Sequence, residues 1–448
     1  MHAMQTNSVS RFLEWVDSFL NFEKLPQKNM FWLDTMEFLC SKLGDPQNFA
    51  PSYHVAGSKG KGSVCAMISA ILTACGKKTG VYSSPHIEDF RERIRLNDAF
   101  FDEAVYADAA DELYSRFNSI KEELPQDRAV TWFELVTVYA FLCFRKARVD
   151  ESVFEVGLGG RLDATNVVKP QISVINTIEL EHTEFLGDTI EKVAAEKAGI
   201  IKEGTTVLSA IQCPEVRNVF IEKAKEKNAR LIFIDELLQD INYSYDTESK
   251  TMNVSFFSDI FSRPVNFKSK MTGSFQAYNA FLAAAAVKLT HPEISEAEIE
   301  EGLSKVSLPA RFEIIKNPLN EKFNLIIDGA HTVKSIGLTM ETLLKLFPGE
   351  KTDLVFACAA DKDVEHIANQ FKGNFESVSL TKPGSTKSAD TEKMKNAFSK
   401  AEITFEYSDD YIKIINEAIK KAGNENHNLL ITGSFYLASE VKKVLKTL

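Results

Sequence analysis

From Tyr53 onward, short apolar runs alternate with longer stretches of helical character. Tyr53–Val55 predicts a strand that runs into Gly57-Ser58-Lys59-Gly60-Lys61-Gly62-Ser63, followed by a helix over Val64–Ala74. Thr79–Tyr82 reads as a strand ending at Ser83-Ser84-Pro85-His86, and Thr131–Lys146 as a long helix. Ser152–Val156 and Ile172–Ile178 are β-rich runs that end in polar residues. Strands interleaved with helices predict a parallel sheet covered on both faces. Arg230–Ile234, Ile241–Asp246, Thr251–Phe256 and Val265–Lys268 differ: they are short and alternating, which predicts a small antiparallel patch. Helices over Gln276–Leu289 and Ser295–Val306 follow, the second opened by a Ser295/Glu298 capping box.

Leu308-Pro309-Ala310-Arg311-Phe312-Glu313 interrupts the pattern, and Pro309 stops a helix. The expected domains are therefore 1–307 and 308–448. Beyond the break, strands at Asn324–Ile327, Leu354–Cys358, Ser377–Leu380 and Leu429–Ile431 alternate with helices, the last over Phe435–Leu445. The expected fold class is α/β: a P-loop-type domain around a central parallel sheet with a small antiparallel patch, then a Rossmann-like α/β domain. Such sheets bind ligands at the carboxyl ends of their strands.

Composition narrows the function. With 52 Lys+Arg against 63 Asp+Glu among 448 residues, the net charge is −11, which disfavours a nucleic-acid partner. No apolar run reaches the ~20 residues of a membrane helix. Glu14 and Asp17 within the first apolar stretch indicate an amphipathic helix, not a signal peptide. The six cysteines are scattered without a CxxC spacing, as expected of reduced, near-core thiols in a cytoplasmic protein.

Four groups of residues carry candidate chemistry. Glycines in the 57–63 loop let backbone N–H groups converge on phosphate oxygens, with Lys61 and Ser63 at the mouth of the following helix. The strict GxxxxGK[ST] pattern fails, since Val55 holds its first glycine position. Ser84, Glu155 and His182 each sit at a predicted strand end and offer oxygen or nitrogen donors to Mg²⁺, although histidine is an uncommon ligand for it. Lys197 precedes Gly199 and Lys202 in a segment that an ordinary helix end explains without any chemistry. Arg311 lies on the interdomain hinge and Asp328-Gly329-Ala330-His331 follows a strand. There the arginine can reach a phosphate and the aspartate a ribose hydroxyl, or both can serve as plain polar contacts.

GSKGKGS, SSPH with FRERI, TWFE, FEVGLGGRLDATN, HTEFLGDT, EKAGIIK, GSFQAYNA, PARFE, DGAH, DKD and TGSFYL occur in this order. Together they resemble the folylpolyglutamate synthases and bifunctional dihydrofolate synthases of the Mur ligase superfamily, over about residues 30 to 440. The resemblance implies ATP-dependent addition of L-glutamate to the γ-carboxylate of a folate through an acyl phosphate, by a monomeric enzyme. Dihydropteroate is the alternative acceptor. It also implies roles for individual residues. Gly57, Gly60, Lys61, Gly62, Ser63, Asn279, Arg311 and Asp328 would contact ATP. Ser84, Glu155 and His182 would hold Mg²⁺, with two ions expected. Lys197 would be carbamylated, and Lys61 and His331 would join it as catalytic groups. Thr131, Trp132, Phe133, Leu162, Asp163 and Ala164 would receive the pterin, and Tyr436 would lie in the same cleft.

The chain departs from the family pattern at Lys59, at Glu181 where aspartate is usual, and at Phe275 for a histidine. It departs again at Ala310 for a glycine and at Thr332-Val333 for Asn-Pro.

Overall fold

A computed structural model describes residues 8–21, 32–125, 129–384 and 388–447. The first strands are β1 (Ser52–Ala56), β2 (Thr79–Tyr82), β3 (Ile94–Leu96), β4 (Glu151–Glu155), β5 (Ile172–Ile175), β6 (Thr206–Ser209) and β7 (Arg230–Phe233). They form one sheet in the order β3-β2-β4-β1-β5-β6-β7, parallel except for the β2–β3 pair. β1, β4 and β5 are buried on both faces, which is why their sequences read as nearly continuous apolar runs. β1 lies between β4 and β5, so the chain leaves it at the point where strand order reverses, the place where open α/β sheets bind ligands.

The helix Lys61–Ala74 follows β1 directly and is packed by the helices Ser274–Thr290 and Glu296–Lys305. The run Ala283–Ala286 is fully buried and has no side chain large enough to hold its neighbours away. Ser295 and Glu298 form the expected capping box. The amphipathic helix Ser8–Val16 packs Phe12 and Val16 into the core on the opposite side of the sheet.

β8 (Asp240–Asp246), β9 (Thr251–Phe257) and β10 (Val265–Ser269) form the antiparallel patch. Arg230–Ile234 does not belong to it. β7 pairs in parallel with β6 and closes the edge of the main sheet. Its exposed–intermediate–buried–buried profile is that of an edge strand and resembles alternation over four residues.

The second sheet has β11 (Glu313–Asn317), β12 (Asn320–Ile327), β13 (Thr352–Phe356), β14 (Val378–Leu380), β15 (Glu406–Tyr407) and β16 (Asn428–Thr432) in the order β11-β12-β16-β13-β14-β15. The β11–β12 hairpin was not expected from the sequence, and it starts at the linker itself. The two halves touch on both flanks of the cleft, through Lys334–Glu179 at 2.7 Å and Lys446–Glu88 at 2.7 Å. Lys250–Glu350 adds a third contact at 2.6 Å. No helix among the described residues is long and apolar enough to cross a membrane. All six cysteines are free thiols; Cys213 is exposed, contrary to the near-core expectation.

Candidate active site

The loop after β1 turns tightly beneath β5. Gly57 and Gly60 hold φ of 144° and 75°, and a Cβ on Gly60 would come within 2.4 Å of Asn176 Nδ2. Only glycine fits there without strain. The free N–H groups at the start of Lys61–Ala74 face the same space. Lys61 Nζ donates to the Gly57 carbonyl at 2.9 Å. A chain of side chains supports the loop from behind. Asn176 donates to Asn279 at 2.8 Å, Asn279 to Gln276 at 2.9 Å, and Gln276 to the Ser63 hydroxyl at 3.4 Å. Sequence reasoning found Asn279 and Ser63 but missed Asn176 and Gln276. The spacing of Gln276 and Asn279, one helical turn apart on a face, was the available signal.

Glu155, at the end of β4, is 4% exposed. Its Oε2 accepts the Ser84 N–H at 3.1 Å. Burial raises its pKa, against the opposing pull of Lys61 and Arg311. The Ser84 hydroxyl and Glu155 Oε1 have no hydrogen-bond partner among the described residues, and both residues line a cavity of about 390 Å³. Two uncommitted oxygen donors in one cavity suit a hard divalent cation. His182 is exposed, with an imidazole that makes no hydrogen bond among the described residues. Lys61 is the charged neighbour common to Glu155 and His182.

Lys197, on the last turn of the helix Ile190–Ala198, is 2% exposed. Its Nζ reaches the Gly57 carbonyl at 3.1 Å and Glu181 Oε1 at 3.1 Å. Burial, then the charge of Lys61, lowers its pKa to about 8, opposed by Glu181. Its proton is therefore unusually easy to remove.

Across the cleft, the linker presents Arg311. Its guanidinium lies over the Phe435 ring at 4.4 Å and makes no hydrogen bond or ion pair among the described residues. Ala310 and Phe312, on either side, hold φ of 56° and 51°, the left-handed region that side chains rarely adopt. Asp328 secures this geometry. Its carboxylate accepts Phe312 N–H at 2.6 Å, Ala330 N–H at 2.8 Å and the Thr339 hydroxyl at 3.0 Å. Both oxygens are thus committed to the linker and its surroundings. His331 Nδ1 lies 2.8 Å from the Gly329 carbonyl and must donate to it, which leaves Nε2 as an acceptor. Burial lowers the His331 pKa to about 4, so the ring is neutral at pH 7. Tyr436 follows Phe435 at the start of the helix Phe435–Leu445 and is partly exposed.

Thr131 caps the helix Trp132–Ala147 in a box with Glu134. That cap turns Trp132 inward. It is 4% exposed, its indole N–H donates to Asp17 at 2.9 Å, and Arg93 and Phe90 cover its ring. Trp132 therefore has no free ring face for a pterin, which corrects its expected place among the pterin-receiving residues. Phe133, half-buried, packs instead against Gly157, where a Cβ would meet its ring at 2.6 Å. Asp163 is also committed, accepting the N–H groups of Gly157 and Leu158 at 3.0 Å each, with Leu162 half-buried and Ala164 buried beside it.

Arg311 lines two cavities. One contains Gly62, Ser84 and Glu155; the other contains Gly60, Ser63, Asn279 and Asp328. The arrangement is a cleft between two α/β domains, with the glycine-rich loop on one side and, on the other, a guanidinium that makes no ion pair among the described residues.

Comparison with known proteins agrees with this architecture. The Mur ligase middle domain matches residues 55–287, and the Mur ligase glutamate ligase domain matches residues 310–435. A Bacillus subtilis protein named dihydrofolate synthase/folylpolyglutamate synthase is 31% identical over 96% of this chain and 98% of its own. The folylpolyglutamate synthase of Thermotoga maritima superposes with a TM-score of 0.81 at 30% identity, covering 98% of this chain and 97% of that one. The Mycobacterium tuberculosis folylpolyglutamate synthase, solved with ADP and AMPPCP, gives a TM-score of 0.83 at 27% identity, covering 98% of each chain. Fold and cleft thus define an ATP-dependent ligase of the Mur type. Within that class, the chain belongs to the folylpolyglutamate synthase/dihydrofolate synthase family.

Proposed function

We propose that this protein joins L-glutamate to the γ-carboxylate of a folate at the expense of ATP. The observation that carries the reading is Arg311: a largely enclosed guanidinium that makes no hydrogen bond or ion pair among the described residues, placed between the cavity of Glu155 and the cavity of the phosphate loop. An unpaired enclosed cation is costly unless an anion completes it, and a transferring phosphoryl group is such an anion.

In this reading the 57–63 loop and Lys61 hold the triphosphate. Asn279 orders the loop from behind, and Asp328 holds Arg311 toward the terminal phosphate by fixing the linker. A γ-carboxylate oxygen of the folate attacks the γ-phosphorus, the bond to the bridging oxygen breaks and ADP leaves, giving an acyl phosphate. This turns a poor electrophile into one with a leaving group. The glutamate amine then attacks the carbonyl carbon and phosphate departs. His331 Nε2 accepts a hydrogen bond from the incoming amine. Ser84 and Glu155, with His182, would hold Mg²⁺, two ions by the family resemblance, which neutralises phosphate charge when bound.

Carbamylation of Lys197 fits a buried amine with a pKa of about 8, since the neutral form is the nucleophile toward CO₂. It also requires Glu181 to release the Nζ it now pairs with. Phe133 and Leu162 face the pterin, while Thr131, Asp163 and Ala164 hold their segments in place. Both walls of the cleft come from one chain, which supports a monomer, and six free thiols support a reducing, cytoplasmic setting.

The B. subtilis relative carries both synthase names, so dihydropteroate is the second acceptor to assay. Mass spectrometry of products formed from ATP, Mg²⁺, glutamate and either tetrahydrofolate or dihydropteroate tests the reading. Glutamyl addition to tetrahydrofolate is expected, and ATP turnover without an amide product would overturn it.

A further inference from the structure

Arg95 follows the FRERI motif on β3, and neither the loop chemistry nor the linker uses it. It is half-buried and lines the cavity of about 390 Å³ that also contains Glu155 and Arg311. One guanidinium nitrogen, Nη1, donates to the carbonyls of Leu96, at 3.0 Å, and Asn97. Nε and Nη2 have no partner among the described residues. Two carboxylates lie nearby, and neither forms an ion pair with it. Glu92 is engaged by the backbone N–H groups of Ile87, Glu88 and Asp89 at 2.7–2.8 Å, and Asp98 is exposed. Arg95 is therefore anchored by one edge, and its other edge is free to meet a planar anion.

We infer that Arg95 binds the α-carboxylate of the glutamyl residue that is being extended. The inference rests on the proposed ligase reading, which brings the reacting γ-carboxylate against the terminal phosphate at Arg311, in the cavity that Arg95 also lines. A glutamyl residue carries its second carboxylate a few bonds from the first, so a second guanidinium in the same cavity supplies a two-point grip. The cavity volume lies within the range of small-ligand sites. Such a grip selects an acceptor that carries an α-carboxylate over one that carries only the reacting acid.

The test compares tetrahydrofolate with its analogue in which only the α-carboxylate is converted to the amide, using wild type, Arg95→Gln and Arg95→Lys. Wild type is expected to show a KM about ten- to hundredfold higher for the amide, as for loss of a charge-assisted hydrogen bond. Arg95→Gln should show a raised KM for tetrahydrofolate, an unchanged KM for ATP and little discrimination against the amide. Arg95→Lys should retain part of the discrimination. A purely structural role would shift all substrates together and leave the ratio of the two KM values intact. Equal discrimination by Arg95→Gln and wild type, or indifference of the wild type to amidation, overturns the assignment. Failure of the wild type to extend tetrahydrofolate would instead refute the ligase reading itself.

Discussion

Lys61 and Lys197 donate to the same acceptor, the carbonyl oxygen of Gly57, at 2.9 and 3.1 Å. Burial, and after it the charge of Lys61 on the same oxygen, lowers the Lys197 pKa to about 8. The arrangement couples the proposed phosphate lysine to the candidate carbamate. Lys61→Ala is expected to abolish turnover. It should also raise the Lys197 pKa and shift incorporation of labelled CO₂, followed by carbon-13 NMR, to higher pH.

Lys197→Ala should be slower by at least roughly a hundredfold, the scale of losing one charged group that positions a transition state. Lys197→Glu, which restores an anion, should recover part of the rate. Steady-state assays at saturating ATP read both variants, and full activity of Lys197→Ala would exclude the carbamate role.

Arg311→Met separates function from stability. The guanidinium has no ion pair among the described residues to lose, only its contact with Phe435. Removing an enclosed charge that no ion pair at contact distance holds should leave the melting temperature unchanged or higher. Turnover should nevertheless fall by roughly a hundredfold or more, as for loss of one phosphoryl-clamping donor. Paired calorimetry and kinetics check the prediction, and a large drop in melting temperature would contradict it.

Asp328→Asn replaces an acceptor of three hydrogen bonds with a group that cannot accept at both ends. The expected stability loss is about 1–3 kcal/mol. Because Phe312 N–H is one of the three donors, Arg311 should also lose its fixed position, so kcat should fall more than ATP affinity. Denaturant titration and ATP-binding calorimetry distinguish these effects.

His54 gives a pH prediction away from the cleft. It is fully buried on β1, hydrogen-bonded through Nε2 to Thr165 at 2.8 Å, and burial lowers its pKa to about 3. The unfolded chain therefore binds a proton below pH 6.5 that the folded chain refuses until about pH 3. Stability should fall through that window as pH drops, by roughly 1.4 kcal/mol per pH unit. Between pH 7.5 and 5, wild type should lose about 2 kcal/mol more than His54→Gln in urea titrations.

Much of the cleft was legible in the sequence, because its residues sit where buried strands end. Gly57–Ser63, Ser84 and Glu155 needed only a strand boundary to be placed. The β11–β12 hairpin was not legible, since the linker's proline break conceals a strand that begins four residues after it. Trp132 was misjudged because a helix cap fixes which of two adjacent aromatic residues turns inward, and composition does not encode that choice. Two departures from the family pattern, Lys59 and Glu181, turn out to face each other, with Nζ 3.5 Å from Oε2. Single positions read one at a time could not reveal that pairing.

Ala310 and Phe312 enclose Arg311 between two left-handed backbone residues. Its direction is thus set by main-chain torsion, which the Asp328 carboxylate holds through Phe312 N–H. A rotation of the second domain by a few degrees would re-aim the guanidinium like a needle on a dial. Whether the terminal phosphate is gripped then becomes a report on how the two halves are docked.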